Sequence, residues 1–230
     1  MLKNIYRIII PFGARKRIHT FFLKQSRKGR EERERQIPKV PLTEKHMMNC
    51  ELLLNRTSLL LKFKKGGRVA EIGVDRGEFS EQILEITEPV LLHLIDIWGS
   101  ERYHTGLFER VQDKFGKLIE KGQVRIHRKL SIDAAEDFQD NYFDWVYLDT
   151  DHSYELTRDE LHKYALKVKN EGIIAGHDYS MGLWVNSYRN GVIEAVHEFC
   201  VEHEWEIIYL TLDPIEVQSF AIRRIQQDNK

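Results

Sequence analysis

The chain predicts an α/β domain whose mostly parallel sheet is flanked by helices and closed by a terminal antiparallel hairpin. Three observations carry this. Short apolar runs recur along the sequence, as strands buried on both faces require. Longer segments with apolar residues spaced i, i+4 and i+7 lie between them and read as helices. At Arg68–Ile86, RVAEIGVDRGEFSEQILEI, strand and helix are joined by a tight glycine turn. The strands number seven when the hairpin is included, and the domain is expected over residues 42–230 behind an extension and linker over 1–41.

A chain of 230 residues with 42% hydrophobic residues can bury a full core, which excludes a disordered chain. The net charge of -1 hides an asymmetry. Residues 1–39 carry twelve Lys and Arg against Glu31, Glu32 and Glu34, so the extension is about +9 and the remainder about -10. Cys50 and Cys200 stand far apart and outside any CxxC pattern, which offers neither a zinc site nor a disulfide framework. A reducing cytoplasm is the default expectation.

The extension opens MLKNIYRIIIPFGARKRIHTFFLK. Its apolar run, broken by Pro11, is too short to span a bilayer and has no cleavage site of small residues. Aromatic and aliphatic residues interleaved with basic ones suit three uses: docking on the chain's own domain or a second subunit, contact with an anionic membrane through residues 1–30, or a grip on nucleic acid. The acidic remainder argues against nucleic acid. From Leu42 a helical pattern is read through Met48, Leu52, Leu59 and Phe63, with Thr43 as its cap. That helix is expected to pack beside the sheet and roof a ligand.

In the glycine turn, Gly73 and Gly77 let the backbone reverse and a ligand approach where a Cβ would clash. The Glu-x-Gly-x-x-x-Gly spacing departs from the G-x-G-x-x-G of dinucleotide binders, and Glu71 and Asp75 would repel a pyrophosphate. They suit a cationic sulfonium. Here the sequence resembles the class I S-adenosylmethionine (AdoMet) dependent methyltransferases, whose first motif is this acidic, glycine-rich loop.

A second strand, Val90–Ile97, carries Asp96 at its end, about twenty residues past the turn, where a carboxylate can accept both ribose hydroxyls of a nucleoside. Leu107, Val111, Phe115 and Leu118 mark the next helix, which Gly122 closes. After a third strand at Val124–His127, Ser131-Ile132-Asp133 opens a short helix. In methyltransferases this position lies beside the adenine, which makes Ser131 and Ile132 candidate cofactor contacts; Ser131 also reads as a helix N-cap.

The densest stretch is Phe143–Tyr154, FDWVYLDTDHSY. A fourth strand leaves at Asp149, followed by Asp151, His152 and Ser153, of which Asp151 or Ser153 should cap the helix that comes next. A fifth strand, Ile173–Gly176, runs directly into His177, Asp178 and Tyr179. If these strands are neighbours, Asp149 and Asp178 can reach one hard cation, such as Mg²⁺, which takes oxygen ligands and makes a bound hydroxyl easier to deprotonate. His152 could accept that proton. Beyond lie SMGLWVNSYRNGV, a candidate acceptor wall with Trp184, Tyr188 and Arg189, then a helix at Val192, Val196 and Phe199, and a hairpin around Asp213-Pro214.

LDTDHSYE, followed about twenty residues later by NEGIIAGHDY, resembles the metal-dependent small-molecule O-methyltransferases. These include the macrocin- and cephalosporin-tailoring enzymes and, more distantly, the catechol O-methyltransferase group. The resemblance covers Arg68 to Tyr179 and implies a Rossmann-like sheet, AdoMet and Mg²⁺ as cofactors, and methyl transfer to a hydroxyl, with a sugar or glycosylated metabolite favoured as acceptor. Carried over, the metal ligands fall on Asp149 and Asp178, with His177 or Tyr179 where a second acidic or amide ligand is usual. The base falls on His152, the ribose carboxylate on Asp96, and the glycine loop on Glu71, Gly73 and Gly77. Asp151 and Tyr179 join the acceptor-side candidates. The basic arm adds a lipid-linked or surface-polysaccharide sugar as a candidate acceptor, and self-association remains open.

Overall fold

Apolar runs and helical spacings alternate along the chain, and their burial sorts them into a sheet with helices packed against it. The computed structural model describes residues 32, 34–99, 105–182 and 189–226. Residues 39–230 form one compact unit. In chain order its elements are a 3₁₀ turn at Glu44–His46, β1 (Glu51–Leu53), α1 (Arg56–Leu60), β2 (Arg68–Ile72), α2 (Glu78–Thr87), β3 (Leu91–Asp96) and α3 (Thr105–Glu120). Then follow β4 (Val124–Arg128), α4 (Ser131–Ala135), β5 (Phe143–Leu148), α5 (Tyr154–Lys167), β6 (Val168–Gly176), α6 (Val192–His203), β7 (Trp205–Thr211) and β8 (Phe220–Arg224). Among the described residues, no helix is long and apolar enough to cross a membrane.

The eight strands form one sheet in the order β1-β7-β8-β6-β5-β2-β3-β4. Only β8 runs against its neighbours, pairing antiparallel with both β6 and β7. The chain thus closes with the hairpin its sequence predicts. β2 lies between β3 and β5, so the strand order reverses there. In open α/β sheets the crevice above such a reversal is where ligands bind.

Burial explains why these segments are strands. Val69, Ala70 and Ile72 of β2, Leu92, Leu94 and Ile95 of β3, and Val146 and Tyr147 of β5 have no exposed surface. Each large aliphatic side chain removed from water contributes roughly 1.5–3 kcal/mol. Helix α2 buries Phe79 and Ile83, and α3 buries Leu107, Val111 and Phe115, as their spacing requires. β6 starts earlier than its apolar core suggests, because Val168 already pairs with Phe143.

The continuous helix expected from Leu42 is not formed. Glu51–Leu53 instead pairs in parallel with Tyr209–Thr211 as an eighth strand. Asn55 then restarts the chain as the N-cap of α1, its side chain accepting from the Ser58 N–H at 2.8 Å. Leu59 and Phe63 are buried as read, but Met48 and Leu52 are 71% and 59% exposed, so the apparent stripe joins two elements by coincidence. Thr43 caps only the 3₁₀ turn.

Candidate active site

A cleft of about 900 Å³ opens above the carboxyl ends of β2, β3, β5 and β6. That is the size of a small-molecule or cofactor site. Its β2–β3 side is built largely from backbone. Gly73 has φ +90°, and a Cβ there would stand 1.9 Å from the Asp149 carbonyl oxygen. β2 and β5 meet at this point, where the Asp149 N–H donates to the Ile72 carbonyl at 2.7 Å. Gly77, also left-handed, begins α2 against the Phe115 ring, and does not itself border the cleft.

Asp96 ties this turn together. Its Oδ2 accepts from the Val74 and Asp75 N–H groups at 2.9 and 3.1 Å, and its Oδ1 from the Trp98 N–H at 3.0 Å. A carboxylate offers about four acceptor positions, so about one remains for a ligand rather than the two that paired ribose hydroxyls would use. The fully buried Trp98 adds a bond from its indole N–H to the Asp75 carbonyl at 3.0 Å. Glu71 borders the cleft but is 2% exposed, and it accepts from the Ser80 hydroxyl. Burial pushes its carboxyl up to about 8.

The β5–β6 side is built from side chains. Strands β5 and β6 are paired neighbours, with Leu148 opposite Gly176, which brings Asp149 and Asp178 to one place. His152 Nε2 lies 3.2 Å from Asp178 Oδ2 and 3.8 Å from Asp149 Oδ1. His177 Nδ1 lies 3.0 Å from Asp178 Oδ2 and 3.8 Å from Asp149 Oδ1. Ligand atoms of Asp149, His152 and Asp178 all fall within 4.8 Å of one another, a spacing that one cation can bridge. Asp75, His152 and Asp178 hold φ of 51°, 64° and 55°. Left-handed backbone at non-glycine residues is costly, and its concentration around one cleft fits a preorganised site.

The two carboxylates differ in environment. Burial raises Asp149 above the usual carboxylate range, against the opposing pull of His177, His152 and Arg56. Burial would also raise Asp178, but the His177 hydrogen bond and the charge of His152 outweigh it and leave Asp178 lowered. Asp178 Oδ1 further accepts from the Asn190 amide at 2.8 Å.

Ser131 and Asp151 also border the cleft. Ser131 is the first residue of α4 rather than its cap, which is Leu130. Ser153, not Asp151, caps α5, accepting from the Leu156 N–H, while Asp151 Oδ1 accepts from the Ser153 N–H. Ile132, Tyr179 and Arg189 do not line the cleft. The Tyr179 hydroxyl bonds His197 at 2.6 Å, and Arg189 pairs with Glu194. Trp184 and Tyr188 lie outside the described residues, as does the arm over residues 1–30.

Arg56 and Asn190 are cleft residues the sequence did not single out. Arg56 stands 4.3 Å over the Phe79 ring, 3.4 Å from Asp149 Oδ2 and 3.2 Å from Glu216. Arg56 belongs to no motif and reaches the site from a segment distant in sequence, whereas Asn190 lies within the stretch read as an acceptor wall.

Residues 70–179 match a family described as a methyltransferase domain. Over these residues the chain is similar to a methyltransferase domain, in agreement with the strand order and the cleft above it. No protein of curated function matches the chain. Among solved structures, a Corynebacterium glutamicum protein is similar over 94% of this chain and 100% of its own, with 12% identity and a TM-score of 0.56. A putative rRNA-methylase from Clostridium thermocellum is similar over 74% and 92%, with 15% identity and a TM-score of 0.54. Spermidine synthase from Thermotoga maritima is similar over 80% and 60%, with 13% identity and a TM-score of 0.51. At these identities the likeness is one of fold.

Proposed function

We propose that this methyltransferase domain moves the AdoMet methyl group to a hydroxyl of a small molecule, most plainly a sugar or a glycosylated or lipid-linked intermediate. The observation that carries the reading is the meeting of Asp149, His152 and Asp178 in the cleft that the glycine turn opens. On this reading the turn of Gly73 and Gly77, with Glu71, Asp96 and Ser131, holds AdoMet.

The donor set fits a divalent cation: carboxylate oxygens of Asp149 and Asp178 converge beside the His152 imidazole, and Arg56 engages the other oxygen of Asp149. Asp149 and Asp178 would hold Mg²⁺, with His177 beside them at the place of a third donor. Bound there, the cation would make an acceptor hydroxyl more acidic. We give His152 the role of the base that takes the hydroxyl proton. The Asp178 carboxylate at 3.2 Å then stabilises the imidazolium that forms. On this reading the cleft walls would hold the oxygen in line with the methyl group, which turns an encounter of two molecules into a positioned transfer. A sugar acceptor rests on the motif resemblance and on the polar character of this end of the cleft.

The test is isothermal titration of AdoMet into EDTA-treated protein, with and without Mg²⁺, for wild type and for Asp149→Ala combined with Asp178→Ala. AdoMet binding plus a Mg²⁺ heat that vanishes in the double variant is expected, and a screen of sugar acceptors follows. AdoMet binding without any Mg²⁺ heat would remove the metal from the reading. No AdoMet binding under any condition would overturn it.

A further inference from the structure

Behind the acidic end of the cleft, Glu160 of α5 is 1% exposed, and no sequence motif contains it. Its Oε2 accepts from the Thr150 hydroxyl at 2.9 Å, and the nearby Ser131 side chain opposes the rise that burial gives its carboxyl. Its Oε1 is buried with no hydrogen-bond partner among the described residues. The same holds for Nε2 of His177. Both residues border one small cavity of about 10 Å³, shared with Thr150, His152 and Thr157. Such a space admits one water, and buried polar atoms are almost always satisfied, often in this way.

We propose that Glu160 is a positioning residue that holds His177 through a single internal water. The chemistry fixes the direction of each bond. Asp178 is an acceptor at 3.0 Å from Nδ1 of His177, so Nδ1 carries the proton and Nε2 of the neutral ring presents its lone pair to the cavity. The water donates one hydrogen to that lone pair. Its other hydrogen goes to Oε1 of Glu160, or, if Glu160 is protonated there, Glu160 donates to the water and the bond to Nε2 is unchanged.

Two consequences follow for the site, given the proposed function. In the ligand-free protein His177 supports Asp178 as a hydrogen-bond donor through Nδ1. Glu160 then also links Thr150, on the cleft wall, to His177.

The experiment is long-range ¹H–¹⁵N correlation of the histidine rings in the full chain labelled at histidine, free of metal and ligand. It compares wild type, Glu160→Gln and Glu160→Leu. In wild type, His177 is expected as the Nδ1–H tautomer. Glu160→Gln, which can still bond the water, keeps that signature; Glu160→Leu loses the fixed tautomer and shifts the Nε2 resonance. An Nε2–H tautomer or an imidazolium in wild type overturns the proposal, as does a Glu160→Leu spectrum identical to wild type. Should Glu160→Leu fail to fold, the wild-type tautomer decides, together with a high-resolution crystal structure in which density for one water touching both Glu160 and His177 is required. None of these readouts involves AdoMet, Mg²⁺ or an acceptor, so failure here is distinct from failure of the proposed function.

Discussion

Where β2 and β3 end, the cleft is held by backbone: a left-handed Gly73 against the Asp149 carbonyl, and an Asp96 whose oxygens accept three main-chain N–H groups. Where β5 and β6 end, it is held by side chains, with two carboxylates, two imidazoles and an amide in contact. The first side depends on shape, and the second on charge and protonation. Substitutions on the two sides should therefore fail differently. A steric change on the backbone side should damage the fold itself, while a charge change on the other should leave the fold and remove chemistry.

The largest effect is expected at Gly73. A Cβ would overlap the Asp149 carbonyl at 1.9 Å in a backbone region that side chains rarely adopt. Gly73→Ala should cost about 3 kcal/mol or more and abolish AdoMet binding, as read by thermal denaturation and titration. Gly116 supplies the contrast: it lies inside α3 with nothing within 4 Å of its would-be Cβ. Gly116→Ala should raise stability by about 0.5–1 kcal/mol, since alanine is the better helix former. Equal costs at the two glycines would show that the close approach of β2 and β5 is not what Gly73 serves.

Next in size is His152. On the proposed function, His152→Ala should lower the rate of methyl transfer by about 10²–10⁴-fold and leave both melting temperature and AdoMet affinity near wild type. The measurement is labelled-methyl transfer to an acceptor returned by the sugar screen. A variant that loses AdoMet binding in step with its rate would place His152 with the cofactor instead of the acceptor proton.

The same contrast explains what the sequence discloses. Glycine turns and strand-end acids are local: RVAEIGVDRG and DTDH each lie within one short stretch, so the turn and the acidic end were legible, while the pairing of the two strands that carry the acids was only a condition of that reading. Arg56 meets Asp149 through a tertiary contact that nothing near it in sequence marks, Glu160 shares a buried cavity with His177, and Asn190, though within the stretch read as an acceptor wall, bonds Asp178 instead. The missed strand β1 has the same origin. Its three residues are extended because Tyr209–Thr211, distant in sequence, pairs with them, while the intervening stripe from Met48 to Phe63 mimics a helix. Asp96 was placed correctly at its strand end, yet its three main-chain partners depend on the fold of the turn.

The smallest expected effect concerns Glu71, the one ionisable group buried on the backbone side of the comparison. Its carboxyl is raised from 4.5 to about 8 because burial penalises the charge. The folded protein therefore binds the Glu71 proton more tightly than the unfolded chain does. This contribution to stability is fully present below the unfolded pKa and is lost as pH rises through about 8. Glu71→Gln, which keeps the size and an acceptor for Ser80 while removing the titration, should flatten that part of the profile. The variant should gain steadily on wild type from pH 5 to pH 8 in denaturant unfolding of the ligand-free protein. AdoMet should reverse the ranking on the proposed function, because a carboxylate at the floor of the turn favours the cationic cofactor over the empty cleft. If Glu71→Gln gains the same at both pH values, the Glu71 charge is not what limits stability, and the backbone side of the cleft is governed by shape alone.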